Sequence, residues 1–201
     1  MSIGNTQDRW SGPRTTILPR WLSGLPVVLS PKVPLTILRM IAVVQRVLNA
    51  KVTVAGQVMG EISRGLAVLA SVHADDTDDD LTWTAEKLVA MRVFPDADNT
   101  KSYELDVRDA GCSILLISNF TVAAETAKGR RPSLSAAAAP EAARGKFATF
   151  VNAVRALLAS DRVATGEFGA SMLVEIVNEG PCTFLLDSRQ RPNRSTLKTL
   201  P

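Results

Sequence analysis

The chain has 201 residues, 46% of them hydrophobic and only 5% aromatic, which suits one domain with an aliphatic core and excludes a disordered chain. Its net charge of +3 is unevenly spread: residues 1–39 hold five basic groups and one acid, residues 188–201 hold four basic groups and no acid, and residues 40–187 hold 14 basic against 19 acidic residues. The body is therefore acidic, which excludes a strongly basic nucleic-acid-binding domain.

Residues 1–39 show no sustained period and contain Pro13, Pro19, Pro26, Pro31 and Pro34, so they read as a poorly structured basic extension. Two readings of this stretch stand: a dispensable extension ahead of a start at Met40, and a targeting segment, against which the proline density argues. No run of 18 apolar residues exists, so no membrane-spanning segment is expected.

From Met40 the texture becomes that of a packed domain. Ile41–Val47 reads as a strand by its β-branched content, and Lys51–Val54 and Gln57–Ile62 flank Ala55-Gly56 as a hairpin. Gly65–Val72 reads as a buried strand ending at His73. The acidic run from Asp75 to Asp80 then feeds a helix with Leu81, Ala85, Leu88, Val89 and Arg92 at helical spacing. That run fails as a calcium loop, because Leu81 and Lys87 stand where the turning glycine and the bidentate Glu belong; carboxylates at a helix start suffice to explain it. A loop over Pro95–Ser102 precedes a second buried strand, Ser113–Ser118. A second helix is expected from about Pro140 to Ser160, with Phe147, Phe150, Val151, Val154, Leu157 and Leu158 inward. Two last strands, Ser171–Asn178 and Pro181–Asp187, surround Glu179-Gly180. The expectation is an α+β fold: one domain over 40–187, a largely β, barrel-like body covered by two helices, with 188–201 as a basic tail.

The scarce residues narrow the chemistry. His73 is the only histidine, so paired-histidine metal sites cannot be assembled, and a Ser-His-Asp triad would have to use a residue that reads as a strand-end structural or solvated histidine. Neither a phosphate-cradling nor a dinucleotide-binding glycine pattern occurs. No metal and no cofactor are expected. Cys112 and Cys182 sit in apolar runs and read as buried thiols of a reducing compartment.

Polar residues close two otherwise aliphatic strands, at Ser118-Asn119-Phe120-Thr121 and at Asn178-Glu179-Gly180-Pro181-Cys182-Thr183. Hydroxyls and amides there suit a polar ligand, but they are also ordinary strand ends. Gly180-Pro181 combines permissive torsions with a missing donor, exposing bare carbonyls; from sequence alone it equally fits a turn between two strands.

Met40-Ile-Ala-Val-Val-Gln-Arg-Val47, Ser118-Asn-Phe-Thr121, Lys128-Gly-Arg-Arg-Pro-Ser133, Phe168-Gly-Ala-Ser-Met172 and Asn178-Glu-Gly-Pro-Cys-Thr183 together resemble the D-aminoacyl-tRNA deacylases, in the same order and spacing over 40–187. The resemblance implies a cytoplasmic homodimer with its active site at the subunit interface, hydrolysing the ester of D-aminoacyl-tRNA, with glycyl esters as further substrates. It implies a cis Gly180–Pro181 bond whose carbonyls enter the partner's pocket as a chiral filter. Ser118, Asn119, Phe120 and Thr121 would form the catalytic motif. Asn178, Thr183, Ala170 and Met172 would contribute to the substrate pocket, and Arg46 would hold the Gly-Pro segment. The terminal tRNA 2′-hydroxyl would assist hydrolysis, with Thr121 as the alternative nucleophile. Given a tRNA substrate, Lys128, Arg130 and Arg131, the densest basic group of the body, become candidate phosphate contacts. Asn119 stands where family members usually carry glutamine and is shorter by one methylene, roughly 1.5 Å of reach; Cys182 stands where valine is common. Two alternatives belong beside the enzyme: a non-catalytic tRNA acceptor-end-binding homologue, and an editing hydrolase with shifted amino-acid preference.

Overall fold

The computed structural model describes residues 40–135 and 137–191. The expectations for 1–39 and for 192–201 lie outside the described residues. Six strands, β1 (Ile41–Val54), β2 (Gln57–Ile62), β3 (Gly65–Ser71), β4 (Ser113–Ser118), β5 (Val163–Thr165) and β6 (Leu173–Asp187), form one mixed sheet, accompanied by helices α1 (Asp78–Ala90) and α2 (Pro140–Leu157). The order is β2-β1-β3-β4-β5, with β6 paired to the other side of β1. The β1 pairings are antiparallel; β3–β4 and β4–β5 are parallel.

Alternation along the inner strands divides the core. Leu66, Val68, Ala70, Ile114 and Leu116 pack with Leu81, Leu88, Phe147, Phe150 and Val154 between sheet and helices, whereas Ala67, Leu115 and Ile117 join Val47, Ala50, Val52 and Ile62 on the opposite face. Both faces of β3 and β4 are thus covered, which is why their sequences are unbroken apolar runs. The sheet curls nearly closed: a Cβ on Gly60 of β2 would meet the Thr165 carbonyl oxygen of β5 at 2.5 Å, so only glycine admits that approach.

The hairpin turn is as expected, with Ala55 and Gly56 both at positive φ (47° and 82°), which suits the twist of the flanking strands. The acidic run serves α1: Thr77 and Asp80 form a reciprocal capping box, and Asp78 and Asp79 lie in the positive first turn. His73 is buried, with its amide donating to the Asp76 carboxylate at 2.8 Å. Cys112 and Cys182 are buried free thiols, and burial pushes the Cys112 pKa up.

Five expectations change. Ile41–Val47 and Lys51–Val54 are one continuous strand, because β1 keeps β6 along most of its length while exchanging β3 for β2 on its other edge. The helix of α1 stops at Ala90 and leaves Arg92 outside it; α2 stops at Leu157, which is exposed, while Leu158 turns inward. The three-residue β5 was too short to leave a periodic signal. The chain does not reverse at Glu179-Gly180: both flanking segments run along β1 as a single interrupted strand. At the start of the basic tail, Ser188–Gln190 form a 3-10 turn in which Arg189 pairs with Asp187, and Arg191 reaches Asp79 at 3.1 Å. No helix among the described residues is long and apolar enough to cross a membrane.

Candidate active site

The interruption in β6 is the most informative local geometry. Gln45 pairs with Thr183 and Val47 with Asn178, so Arg46 alone faces the four residues 179–182. Such a bulge suits this sequence: Pro181 lacks a donor for the ladder and Gly180 adopts φ +130°, a conformation L side chains rarely take. The Gly180–Pro181 bond is cis, and both residues are exposed.

Side chains tie this bulge down. The Asn178 Oδ1 accepts the Cys182 amide at 3.1 Å, spanning Gly180 and Pro181. Arg46 is buried; its Nη1 donates to the Val93 carbonyl at 2.7 Å and its Nε lies 3.7 Å from the Glu179 carboxylate. Arg64 donates to both Glu179 oxygens, at 3.0 and 2.8 Å, holding that carboxyl below its usual range. Thr183 receives a long bond from Gln45 Nε2 at 3.4 Å. The Cys182 sulfur is 3.7 Å from the Tyr103 hydroxyl.

The other polar strand end is separate. β4 finishes at half-buried Ser118 and runs into a 3-10 turn, Phe120–Ala123, capped by Asn119. The Asn119 amide donates to the Ala70 carbonyl at 2.8 Å, fixing the turn to the end of β3, and the Phe120 ring and Thr121 are exposed. The following loop is closed by a Glu125–Ser133 bridge, with Gly129 at φ +73° near its tip, and it displays Lys128, Arg130 and Arg131 to solvent. Met172 is half-buried against the Val47–Ile117 core, and Ala170 lies in the turn after Phe168, whose ring packs 5.9 Å from that of Phe147.

Within one chain these motifs do not meet over the sheet. Ser118 shares a row with Ala70, Ala42 and Leu186, whereas the bulge lies beside Arg46, in the row of Leu66. Three strand spacings and four residues separate them, roughly 14 Å across the sheet and 13 Å along it. Among the described residues no group of three His, Cys, Asp or Glu side chains is placed to hold a metal ion.

A sequence model of the family described as D-Tyr-tRNA(Tyr) deacylase matches residues 43–187, which span every motif above except the start of β1. The chain belongs to this deacylase family. A D-aminoacyl-tRNA deacylase of Dehalococcoides mccartyi is 46% identical over 152 residues, covering 76% of this chain and 97% of its own length. One of Pelobacter propionicus is 46% identical over 146 residues, covering 73% and 98%. Among solved structures, a c-Myc DNA Unwinding Element Binding Protein superposes with TM-score 0.70 at 36% identity, over 73% of this chain and 97% of that one. A probable eukaryotic D-amino acid tRNA deacylase reaches TM-score 0.65 at 16% identity, over 74% and 98%, a likeness of fold.

Sequence reasoning missed Arg64 and gave Glu179 no role of its own. The two are 115 positions apart, and an arginine in a strand-joining turn carries no local mark of its partner. Only the close approach of the β2–β3 turn to the β6 bulge reveals the pair.

Proposed function

We propose that the protein hydrolyses the ester joining a D-amino acid to the 3′ end of tRNA, in the cytoplasm, and that glycyl esters are also substrates. The relatives named D-aminoacyl-tRNA deacylase support the reaction. A homodimer builds each site across its interface, with the Ser118–Thr121 turn, Ala170 and Met172 of one protomer facing the Gly180–Pro181 bulge of the other. The observation that carries this reading is the separation of the two motifs over the sheet of a single chain, which a second copy removes. Exposed Leu173, Val177 and Leu185 of β6 and Leu48 of β1 offer apolar surface for such an interface.

Discrimination by attraction is weak, since one methylene is worth about 1–3 kcal/mol. A backbone wall instead penalises the wrong enantiomer by clash. Gly180 and Pro181 present backbone and ring only, so an L side chain meets the wall while D side chains point away unread. Asn178, Thr183 and Arg46 act by holding that wall. The aminoacyl ester is already activated. Water adds to the acyl carbon, the carbon–oxygen ester bond breaks, and the ribose 3′-oxygen takes the proton, with the neighbouring 2′-hydroxyl assisting. Backbone amides of the Ser118–Thr121 segment stabilise the oxyanion, an effect worth a few kcal/mol without any titrating side chain. Lys128, Arg130 and Arg131 bind tRNA phosphates.

The test is deacylation of D-Tyr-tRNA, L-Tyr-tRNA and Gly-tRNA by the full chain, with sedimentation analysis of its oligomeric state. Release of D-Tyr and Gly but not L-Tyr, by a dimer, is expected. Bound tRNA without release identifies a non-catalytic acceptor-end binder, and equal release of L-Tyr removes the chiral filter.

A further inference from the structure

The geometry points to Glu179 and Arg64 as positioning residues for the chiral filter: their two-pronged ion pair clamps the β6 bulge and so fixes where Gly180 and Pro181 stand. This rests on the filter reading above and names what the filter needs in order to discriminate.

Four residues facing one leave the bulge without the regular ladder that fixes a strand, and Pro181 has no amide to contribute. Side chains must supply the rigidity. Asn178 spans the bulge from within, but it cannot fix the bulge relative to the rest of the sheet. Beside the long 3.7 Å contact of Cys182 with Tyr103, the charged connection runs through Glu179, the residue before Gly180. Its carboxylate takes two hydrogen bonds from Arg64 and lies 3.7 Å from Arg46 Nε.

Both arginines stand on one platform. Arg46 Nη1 donates to the Val93 carbonyl, and the Arg64 guanidinium lies 5.8 Å from the centroid of the Phe94 ring, which is fully buried. The series therefore runs from the buried Val93-Phe94 pair through two cations to one carboxylate and then to Gly180. A bidentate arginine–carboxylate pair fixes orientation as well as distance, which a lysine in place of Arg64 does not. A wall that excludes by clash works only while it holds its position, and a misplacement of about 1 Å can change rates by a factor on the order of 100. Losing the clamp should therefore raise turnover of the wrong enantiomer relative to the right one, a signature distinct from general destabilisation.

The experiment measures kcat/KM for D-Tyr-tRNA and L-Tyr-tRNA, and Tm, for the full-length wild type, Glu179→Gln, Arg64→Ala, Arg64→Lys and the double variant Glu179→Gln/Arg64→Ala. The expected result is a fall in the D-to-L ratio of about tenfold or more for Glu179→Gln and Arg64→Ala. Arg64→Lys should be intermediate, and the double variant no worse than the poorer single one, because both remove the same interaction. Arg108→Ala, which breaks the Asp106–Arg108 pair elsewhere, should leave the ratio unchanged. A selective wild type whose Glu179 and Arg64 variants keep its ratio, whatever their Tm, overturns the clamp alone. A wild type without discrimination overturns the filter reading and the clamp with it.

Discussion

The Asn119 carboxamide oxygen accepts two hydrogen bonds from Thr121, one from its amide at 3.1 Å and one from its hydroxyl at 2.5 Å. The amide can only donate, so it fixes which end of the carboxamide faces Thr121, and the hydroxyl proton is committed to a group that cannot take it away. A hydroxyl nucleophile needs a base within reach, and a carboxamide is none. Asn119 is here a cap that shapes the turn, a task for which its short side chain is suited.

Thr121→Ala is therefore expected to keep kcat/KM for D-Tyr-tRNA within about tenfold of wild type, because no covalent step is lost. Asn119→Ala is expected to cost more, since it frees the turn and removes a cap worth about 1 kcal/mol. Single-turnover deacylation with parallel Tm measurements checks both. Abolished turnover in Thr121→Ala at unchanged Tm would restore the nucleophile.

Gly180→Ala should lower both stability and selectivity. Its Cβ would stand 2.7 Å from the Cys182 sulfur and 2.9 Å from the Cys182 amide nitrogen, at φ +130°. A non-glycine residue held in so unfavourable a region costs on the order of 1–3 kcal/mol. Pairing it with Cys182→Ala removes the sulfur but neither the backbone contact nor the torsion, so only part of the loss should return. Full recovery of Tm and of the D-to-L ratio in the double variant would show that the sulfur alone made glycine necessary.

Much of this architecture was legible from the residues, for reasons that differ by element. The double-sided burial of β3 and β4 wrote itself as the apolar runs Leu66–Ala70 and Ile114–Ile117, and the start of α1 as the acidic run Asp75–Asp80. What stayed hidden was set by distant partners. Whether Glu179-Gly180 reverses the chain or interrupts one strand depends on β1, more than 130 positions away, which pairs on both sides of the interruption. In the same way, Arg64 acquires a role only where β6 passes it, and β5 holds its three residues through β4. The polar motifs and Arg46 were readable; the Arg64–Glu179 pair behind them was not.

Replacing Lys128, Arg130 and Arg131 together with alanine should weaken tRNA binding equally for D-aminoacyl, L-aminoacyl and uncharged tRNA. The three lie in one exposed loop joined directly to the Ser118–Thr121 segment, so phosphate contacts made there would position the acceptor end without reading the amino acid. Each lost contact to a single strand should reduce the slope of log K against log salt by about 0.7. Binding isotherms between low and physiological salt measure it. An unchanged slope, or a loss confined to one aminoacyl form, would remove this loop from the tRNA interface.

Asp76 should make folding stability fall with rising pH. Its carboxylate is almost fully buried, accepting the Met40 amide at 2.6 Å and the His73 amide at 2.8 Å. Burial outweighs those bonds and pushes its pKa from 3.8 up to about 6; nearby Asp80 adds to the rise and Lys146 opposes it. A folded pKa above the unfolded one means the native state holds the proton longer, so the contribution is full below about pH 4 and is lost as pH rises to about 6. At about 1.4 kcal/mol per unit, the loss is on the order of 3 kcal/mol. Asp106, Glu179 and Asp187, whose pKa values are lowered, act in the opposite sense but at lower pH, stabilising as pH rises toward their ordinary values of 3.8 to 4.5. Urea unfolding of wild type and Asp76→Asn at half-unit steps from pH 4 to 7.5 should show wild type losing ground to the variant up to about pH 6 and running parallel above it. A chain beginning at Met40 replaces the Met40 amide with an ammonium group, which favours the ionised carboxyl and should shrink that loss. Curves for wild type and Asp76→Asn that stay parallel throughout would show that Asp76 keeps its ordinary pKa despite its burial.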